Sequence, residues 1–430
     1  MKPNILQIEI ESILGGFSPT FTLGGKDQYL DAIGIDPEGI GDFGGITGKS
    51  LGAIMPSFAL AVLTTSTLGE APMWISGSIQ STGVFAYGSA GSVYALSGTL
   101  SLDGDGSQWK PTSGAGNGMV TYGDYQYFAT PTDIFRLGPL SATAPIIQLF
   151  WTGSAGVGQS ALTNTTYPST RSISYPNHVM HVHNDGYVYI ADYYSGAGHI
   201  HSFTISGAGV TTVAFDDLDL PPGLIPMDIK SYGTDLGILC TPAGDFTAGA
   251  TPRQGDSALI LWDTVSANFY RSIPIKETIA SALINKNGEL YALAGNIDTD
   301  VKLMKYLGGE SFQVLAIVNA GSPPPACAAD VIGNTIFWGG HVTTPAVAAG
   351  VYSWGYRSGL LKDALHMPMR IKDSSNTLPI VSCVKSLTRR PYPVIGWRTD
   401  TNAAYGLDQI GNTGTQASRW RTRVSNIGKS

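Results

Sequence analysis

Apolar residues in this chain come in short runs that alternate large and small side chains, and each run is broken after a few positions by Gly, Asn or Asp. Alternation of that kind is the period-two signature of strands, and the breaks are the residues that tolerate tight turns. One unit recurs: a short apolar strand, a Gly-containing turn, and a second strand of aromatic or aliphatic residues interleaved with small ones. Copies stand at 84–96 (VFAYGSAGSVYAL), 119–129 (MVTYGDYQYFA), 179–191 (VMHVHNDGYVYIA), 229–239 (IKSYGTDLGIL), 282–293 (ALINKNGELYAL) and 329–340 (ADVIGNTIFWGG). A weaker seventh runs through 380–385 (IVSCVK) and 393–397 (PVIGW). Further strands follow most hairpins, such as 257–263 (SALILWD) with 267–272 (ANFYRS), and 301–306 (VKLMKY) with 312–316 (FQVLA).

Four strands per unit, repeated every 45 to 60 residues or so, is the spacing of propeller blades. One blade cannot bury both of its faces, whereas blades set around an axis cover one another and expose only short edges. The expected fold is therefore an all-β β-propeller over 71–410. Seven blades, from about Pro72 to about Asp408, is the count the hairpins give. Six and eight stay open, because an irregular insertion, Gly138 to Pro176, interrupts the series and reads as surface loop. Residues 1–70 and 411–430 do not fit the unit and are expected to be non-propeller N- and C-terminal arms.

Composition supports this picture. Of 430 residues, 54 are Gly, 25 Pro and 20 Tyr, which suits many tight turns between aromatic-rich strands, and only 13% are charged. A net charge of −7 argues against a general nucleic-acid surface, which needs clustered Lys and Arg to displace counterions from phosphates. The exception is the basic segment 419–430, read as a solvated terminal strand or arm. Cys240, Cys327 and Cys383 are far apart and sit among small or apolar neighbours, so they read as buried hydrophobes and not as a disulfide or zinc framework. No apolar run reaches membrane-spanning length and the N-terminus has no secretory pattern, so synthesis in a cytoplasm is expected.

Several stretches invite a chemical reading and fail it. The segment 41–50 (GDFGGITGKS) ends like a phosphate-binding loop, but Phe43 stands where the first glycine must be, and Gly52 and Pro56 discourage the helix that has to follow. At 103–107 (DGDGS) the chain resembles the start of a calcium loop whose twelfth position should be Glu and is Gly114. Asn164-Thr-Thr is a sequon only if the chain is secreted. Trp262-Asp263 reads as an architectural pair, with the Asp capping the following turn. Asp216, Asp217 and Asp219 form an acidic cluster read as a solvated loop.

The metal candidates are His181 and His183 on one strand and His199 and His201 on another, each pair sharing a face of its strand. A strand through 187–190 separates the pairs by two strand spacings, about 9.5 Å, too far for four nitrogens to meet one zinc at about 2.1 Å. Half of the set with Asp185 or Asp192 stays open, but hydrogen-bonded structural histidines are the expectation, with no metal and no cofactor. No sialidase-type repeat is present, and nothing designates a catalytic triad.

Four stretches together, 176–189 (PNHVMHVHNDGYVY), 231–236 (SYGTDL), 261–264 (LWDT) and 420–428 (WRTRVSNIG), resemble an uncharacterised family of environmental, mainly marine, tailed-phage proteins, over most of the chain. The resemblance implies a virion structural protein, a tail component with a propeller body, and offers no catalytic residues to carry over. Family members continue past Asn-Ile-Gly at 426–428, so this chain is expected to be a shorter member or a portion of a longer one. The functional expectation is a non-enzymatic virion protein of the tail or head–tail junction, contacting itself in a homo-oligomeric ring and contacting other virion proteins. The alternative is a carbohydrate-binding or glycan-hydrolysing propeller for host-surface recognition, with Trp109, Trp151, Tyr193 and Tyr194 as aromatic platforms for glycans.

Overall fold

The computed structural model describes residues 31–33, 35–36, 55–56, 58–64, 68–77, 84–96, 108–109, 118–130, 133–142, 146–152, 178–205, 211–244, 255–296, 299–318, 321–340, 350–355, 363–369, 379–387, 393–399, 404–415 and 419–421. The phosphate-loop-like, calcium-loop-like and sequon stretches lie outside them, as do the side chains of Trp109 and Trp151.

Seven four-stranded antiparallel sheets follow one another along the chain. We number them as blades: 1 (72–109), 2 (119–152), 3 (180–222), 4 (224–275), 5 (279–318), 6 (329–369) and 7 (379–415 with 58–64). In each blade the first strand of the set touches the first strands of the blades before and after it, so these strands form a closed inner circuit. The fold is a seven-bladed β-propeller, which settles the blade count left open above.

Six of the hairpins read from the sequence are the first two strands of blades 2 to 7, and 84–96 is the second pair of blade 1. Turn chemistry fixes them. The reversal between Ile279–Lys286 and Glu289–Asn296 is an Asn287-Gly288 pair at φ 55° and 82°, the left-handed conformation whose twist matches that of the flanking strands. Middle strands such as Ser257–Trp262, the third of blade 4, are dry on both faces, while outermost strands such as Arg271–Ile275 expose alternate residues.

Two expectations are corrected. Within the supposed insertion 138–176, Ile146–Thr152 is the outermost strand of blade 2, paired with Asp133–Gly138. Within the supposed arm 1–70, Phe58–Thr64 is the outermost strand of blade 7, paired with Tyr405–Thr415, a strand that itself crosses the boundary set at 410. Both segments lack the hairpin signal because neither begins a unit. Outside the ring, Asp31–Ile33 pairs with Arg419–Arg421, and Ile35–Asp36 with Met55–Pro56.

Burial falls between the blades. Each of the seven junctions has its own cluster among the described residues: Tyr87 with Phe128 at blades 1 and 2, Tyr127 with Phe203 at 2 and 3, Ile200 with Trp262 at 3 and 4, Leu259 with Leu290 at 4 and 5. Leu293 with Trp338, Phe337 with Trp397, and Ile75 with Val394 complete the ring. The three cysteines are free and buried within these clusters, as expected, and burial pushes their thiols upward.

Candidate functional site

Polar residues on the first strands stitch the blades together around the axis. Ser76 Oγ of blade 1 lies 2.9 Å from Thr121 Oγ1 of blade 2. The Ser231 backbone N–H of blade 4 donates to His181 Nε2 of blade 3 at 3.0 Å. Buried Asp228 of blade 4 accepts the Leu283 N–H of blade 5 at 2.8 Å, and Asp330 of blade 6 accepts the Ser386 N–H that follows the first strand of blade 7, at 2.7 Å. The last three bonds each satisfy a backbone donor, the reason a buried Asp is tolerated there.

These strands enclose an axial cavity of about 320 Å³. Its floor includes Ala326 and Cys327, from the segment 321–328, which is buried throughout and ends in a short 3-10 turn, Ala326–Ala328, that touches the first strands of blades 5, 7 and 1. Ser281 Oγ donates to Pro324 O at 2.6 Å, and Cys327 Sγ donates to Ser382 O at 3.2 Å. Ser281 and Ser382 are the extra residues of β-bulges, which is what takes them out of the regular ladder. Trp74, Met119, Met180 and Leu283 line the apolar part of the cavity. His181, Lys230, Asn285, Asp330 and Lys385 line its polar part, the last with 43% of its side chain exposed.

The bonding assigns the protons. A backbone N–H donates to His181 Nε2, so the neutral ring carries its hydrogen on Nδ1. His183 Nε2 faces Thr234 O at 3.1 Å and so donates there, while Ser231 Oγ stands 2.8 Å from both His183 Nδ1 and His181 Nε2. Burial, then Lys230, His183 and Lys385, push the His181 pKa down to about 3. Asp228 receives Lys230 Nζ at 2.7 Å and the Ile229 N–H at 2.8 Å, yet its burial still raises its pKa.

The histidine pairs do not converge. His181 and His183 bond across to blade 4, whereas His199 and His201, on the third strand of blade 3, face the acidic cluster. That cluster is not a loop: it lies in the outermost strand Thr211–Pro222, whose register sets Asp219 opposite His199. His199 Nδ1 lies 2.8 Å from Asp219 Oδ1, and the ring stacks on Tyr194 at 3.7 Å. His199, Asp216 and Asp219 offer three ligand atoms within 4.8 Å of one another, a donor set that suits a divalent cation. The same atoms already have protein partners, since Tyr194 Oη donates to Asp216 Oδ1 at 2.7 Å.

Among the described residues, neither carboxylate the sequence offered joins a metal set. Asp185 accepts from Tyr187 N–H and Tyr189 Oη. Asp192, wholly buried, lies between His178 Nε2 at 3.1 Å and His201 Nε2 at 3.5 Å; burial works to raise its pKa, but these two partners hold it well below the carboxylate range. Of the sugar-stacking aromatics, Tyr193 is buried against Ile225 and Met227, and one face of Tyr194 is taken by His199. Among the described residues, the exposed tyrosines Tyr187 and Tyr270 carried no signal beyond their turns. Trp262-Asp263 is architectural as expected: Asp263 accepts the Val265 and Ser266 N–H groups, and Trp262 Nε1 donates to Ser266 O at 2.7 Å.

No protein-family model matches the chain, and no curated protein matches its sequence. Solved structures do match. The β-propeller domain of Cps50 (Swd1) from Myceliophteria thermophila is similar at 10% identity over 82% of this chain and 100% of that one, with a TM-score of 0.50. The Pan2 WD40 domain of Neurospora crassa gives 9% over 84% and 98%, TM-score 0.51, and the WD40 β-propeller domain of Doa1 gives 12% over 83% and 98%, TM-score 0.50. At these identities the likeness speaks to the fold alone. No helix among the described residues is long and apolar enough to cross a membrane.

Proposed function

We propose that this protein is a non-enzymatic structural component of a tailed-phage virion, in the tail or at the head–tail junction, where it contacts copies of itself and neighbouring virion proteins. The observation that carries the reading is a pair of segments outside the blades. Residues 58–64 close blade 7, and 31–33 pair with 419–421, so stretches from before and after the blades meet outside the seven sheets. Such paired segments can bury area on a neighbour without a core of their own. The family resemblance at 176–189 and 420–428 and the low charge density support the same reading. The glycan alternative has less support, since Tyr193 and Tyr194 are engaged within the fold.

Mass spectrometry of purified virions, with low-resolution imaging of the particle, tests the proposal. Stoichiometric copies at a fixed position in the tail or junction are expected. Virions that contain no such chain sink it.

A further inference from the structure

The axial cavity is left unused by a scaffold role, and its chemistry is lopsided. Among the described carboxylate and amide side chains that face it or back it, each acceptor group is engaged. Asp330 takes Ser386 N–H, Val331 N–H and Lys385; Asp228 takes Ile229 N–H, Leu283 N–H and Lys230; Asn285 Oδ1 takes the Gly288 N–H. The donors are in surplus. Each lysine has one carboxylate partner for three N–H groups, the Nδ1–H of His181 is spare, and Asn285 Nδ2 spends one of its two N–H groups on Ser231 O at 2.6 Å. At the floor, the buried indole N–H of Trp74 has no acceptor. A pocket whose acceptors are spent and whose donors are free is matched by a ligand that brings acceptor atoms.

The charge narrows the choice. Lys230 and Lys385 are balanced by Asp228 and Asp330, so the site is neutral overall while the free N–H groups of its two lysines are cationic. One added negative charge is tolerable there, and a dianion would oppose two carboxylates. Beneath the polar groups the wall is Trp74, Met119, Met180 and Cys327, which suits an apolar tail. About 320 Å³ lies at the small end of ligand pockets.

We propose that the axial cavity binds a small organic monocarboxylic acid, with its carboxylate held by His181 Nδ1–H, Lys230 and Lys385 and its apolar tail on the floor made by Trp74, Met119 and Cys327. Lys230 is held in place by buried Asp228, and His181 by the Ser231 backbone, so two of the three donors are oriented before the ligand arrives. The inference stands apart from the virion role, since a propeller of any function has this axis.

Calorimetric titration of the full chain with four probes tests it: hexanoate, hexylamine and hexanol, which share a tail and differ in head, and inorganic phosphate, which has no tail. Hexanoate is expected to bind saturably with a Kd below about 10 mM, a range in reach of so small a ligand, and to change the Trp74 fluorescence, a change absent in Trp74→Phe. Hexylamine, hexanol and phosphate are each expected to bind at least about tenfold more weakly, the loss for one missing charge-assisted hydrogen bond. Lys385 is the residue to change, being partly exposed, because stripping Lys230 leaves Asp228 buried and uncompensated. Lys385→Gln is expected to weaken hexanoate about tenfold and Lys385→Glu to abolish it, with thermal unfolding of the unliganded variants near that of the parent. The proposal is overturned if hexanoate shows no saturable binding, if any of the three control probes equals it, or if folded Lys385→Glu keeps the parent affinity.

Discussion

His181 is an imidazole held where a charge is unwelcome, wedged between blades with two ammonium groups nearby. Its folded pKa of about 3 lies below the ordinary value of 6.5, so folding favours the neutral ring. The stability this contributes is complete above pH 6.5 and is lost progressively as pH falls from there toward 3. Urea unfolding at pH 7, 6, 5 and 4 should show a decline with a His181 share of up to ~1.4 kcal/mol per pH unit. His181→Gln, which keeps an acceptor for the Ser231 N–H, should remove that share; an unchanged slope would show that the ring is not forced neutral. A second residue-level constraint is steric. A Cβ on Gly396 would lie 2.2 Å from Cys383 Sγ, its partner across the ladder in blade 7. Gly396→Ala should therefore cost about 2 kcal/mol of unfolding free energy, and Cys383→Ala in the same chain should recover most of it, a coupling that a double-mutant cycle reads directly.

At the scale of the element, each blade is a set of local hairpins whose turns are fixed by a few side chains. Asp263 illustrates this: it gathers the Val265 and Ser266 N–H groups and the Ser266 hydroxyl, and these bonds lower its pKa. Asp263→Ala should free the Val265 and Ser266 amides, seen as faster hydrogen exchange there with amides of Ser257–Trp262 still protected; loss of protection across blade 4 would instead make Asp263 a determinant of the whole blade. The same locality explains what was legible in the sequence. Turns such as Asn287-Gly288 announce first hairpins because the turn residues and both strands lie within a dozen or so positions. Outermost strands have no such mark. Ile146–Thr152 follows a loop and bears exposed Ile146 and Leu149, so it reads as part of an insertion. The meeting of His199 with Asp216 and Asp219 was illegible for a related reason: it depends on the register between the third and fourth strands of blade 3, and two irregularities shift that register.

For the whole molecule the decisive strand is the blade strand farthest in sequence from its partner. Phe58–Thr64 lies some 340 residues from Tyr405–Thr415, its partner, and nothing near it names that partner. Its effect is nonetheless global. Blade 7 packs on blades 6 and 1 through the clusters around Trp397 and Val394, so an unfinished blade 7 loosens both junctions and leaves the long strand 405–415 with an open edge. An unpaired edge of that length is a template for another chain. A chain beginning at residue 66 should therefore elute as dimers and larger species and unfold at a midpoint lower by on the order of 5 °C, whereas a chain beginning at residue 54 should stay monodisperse at matched concentration. A synthetic peptide spanning 54–66, supplied in excess to the shorter chain, should restore both the elution position and the midpoint, because the ladder it completes is intermolecular hydrogen bonding along one edge. Should the chain from 66 prove as stable and as well dispersed as the chain from 54, the ring would be closed by the contacts of its inner strands alone, and the pairing of 58–64 would be an attachment and not a clasp.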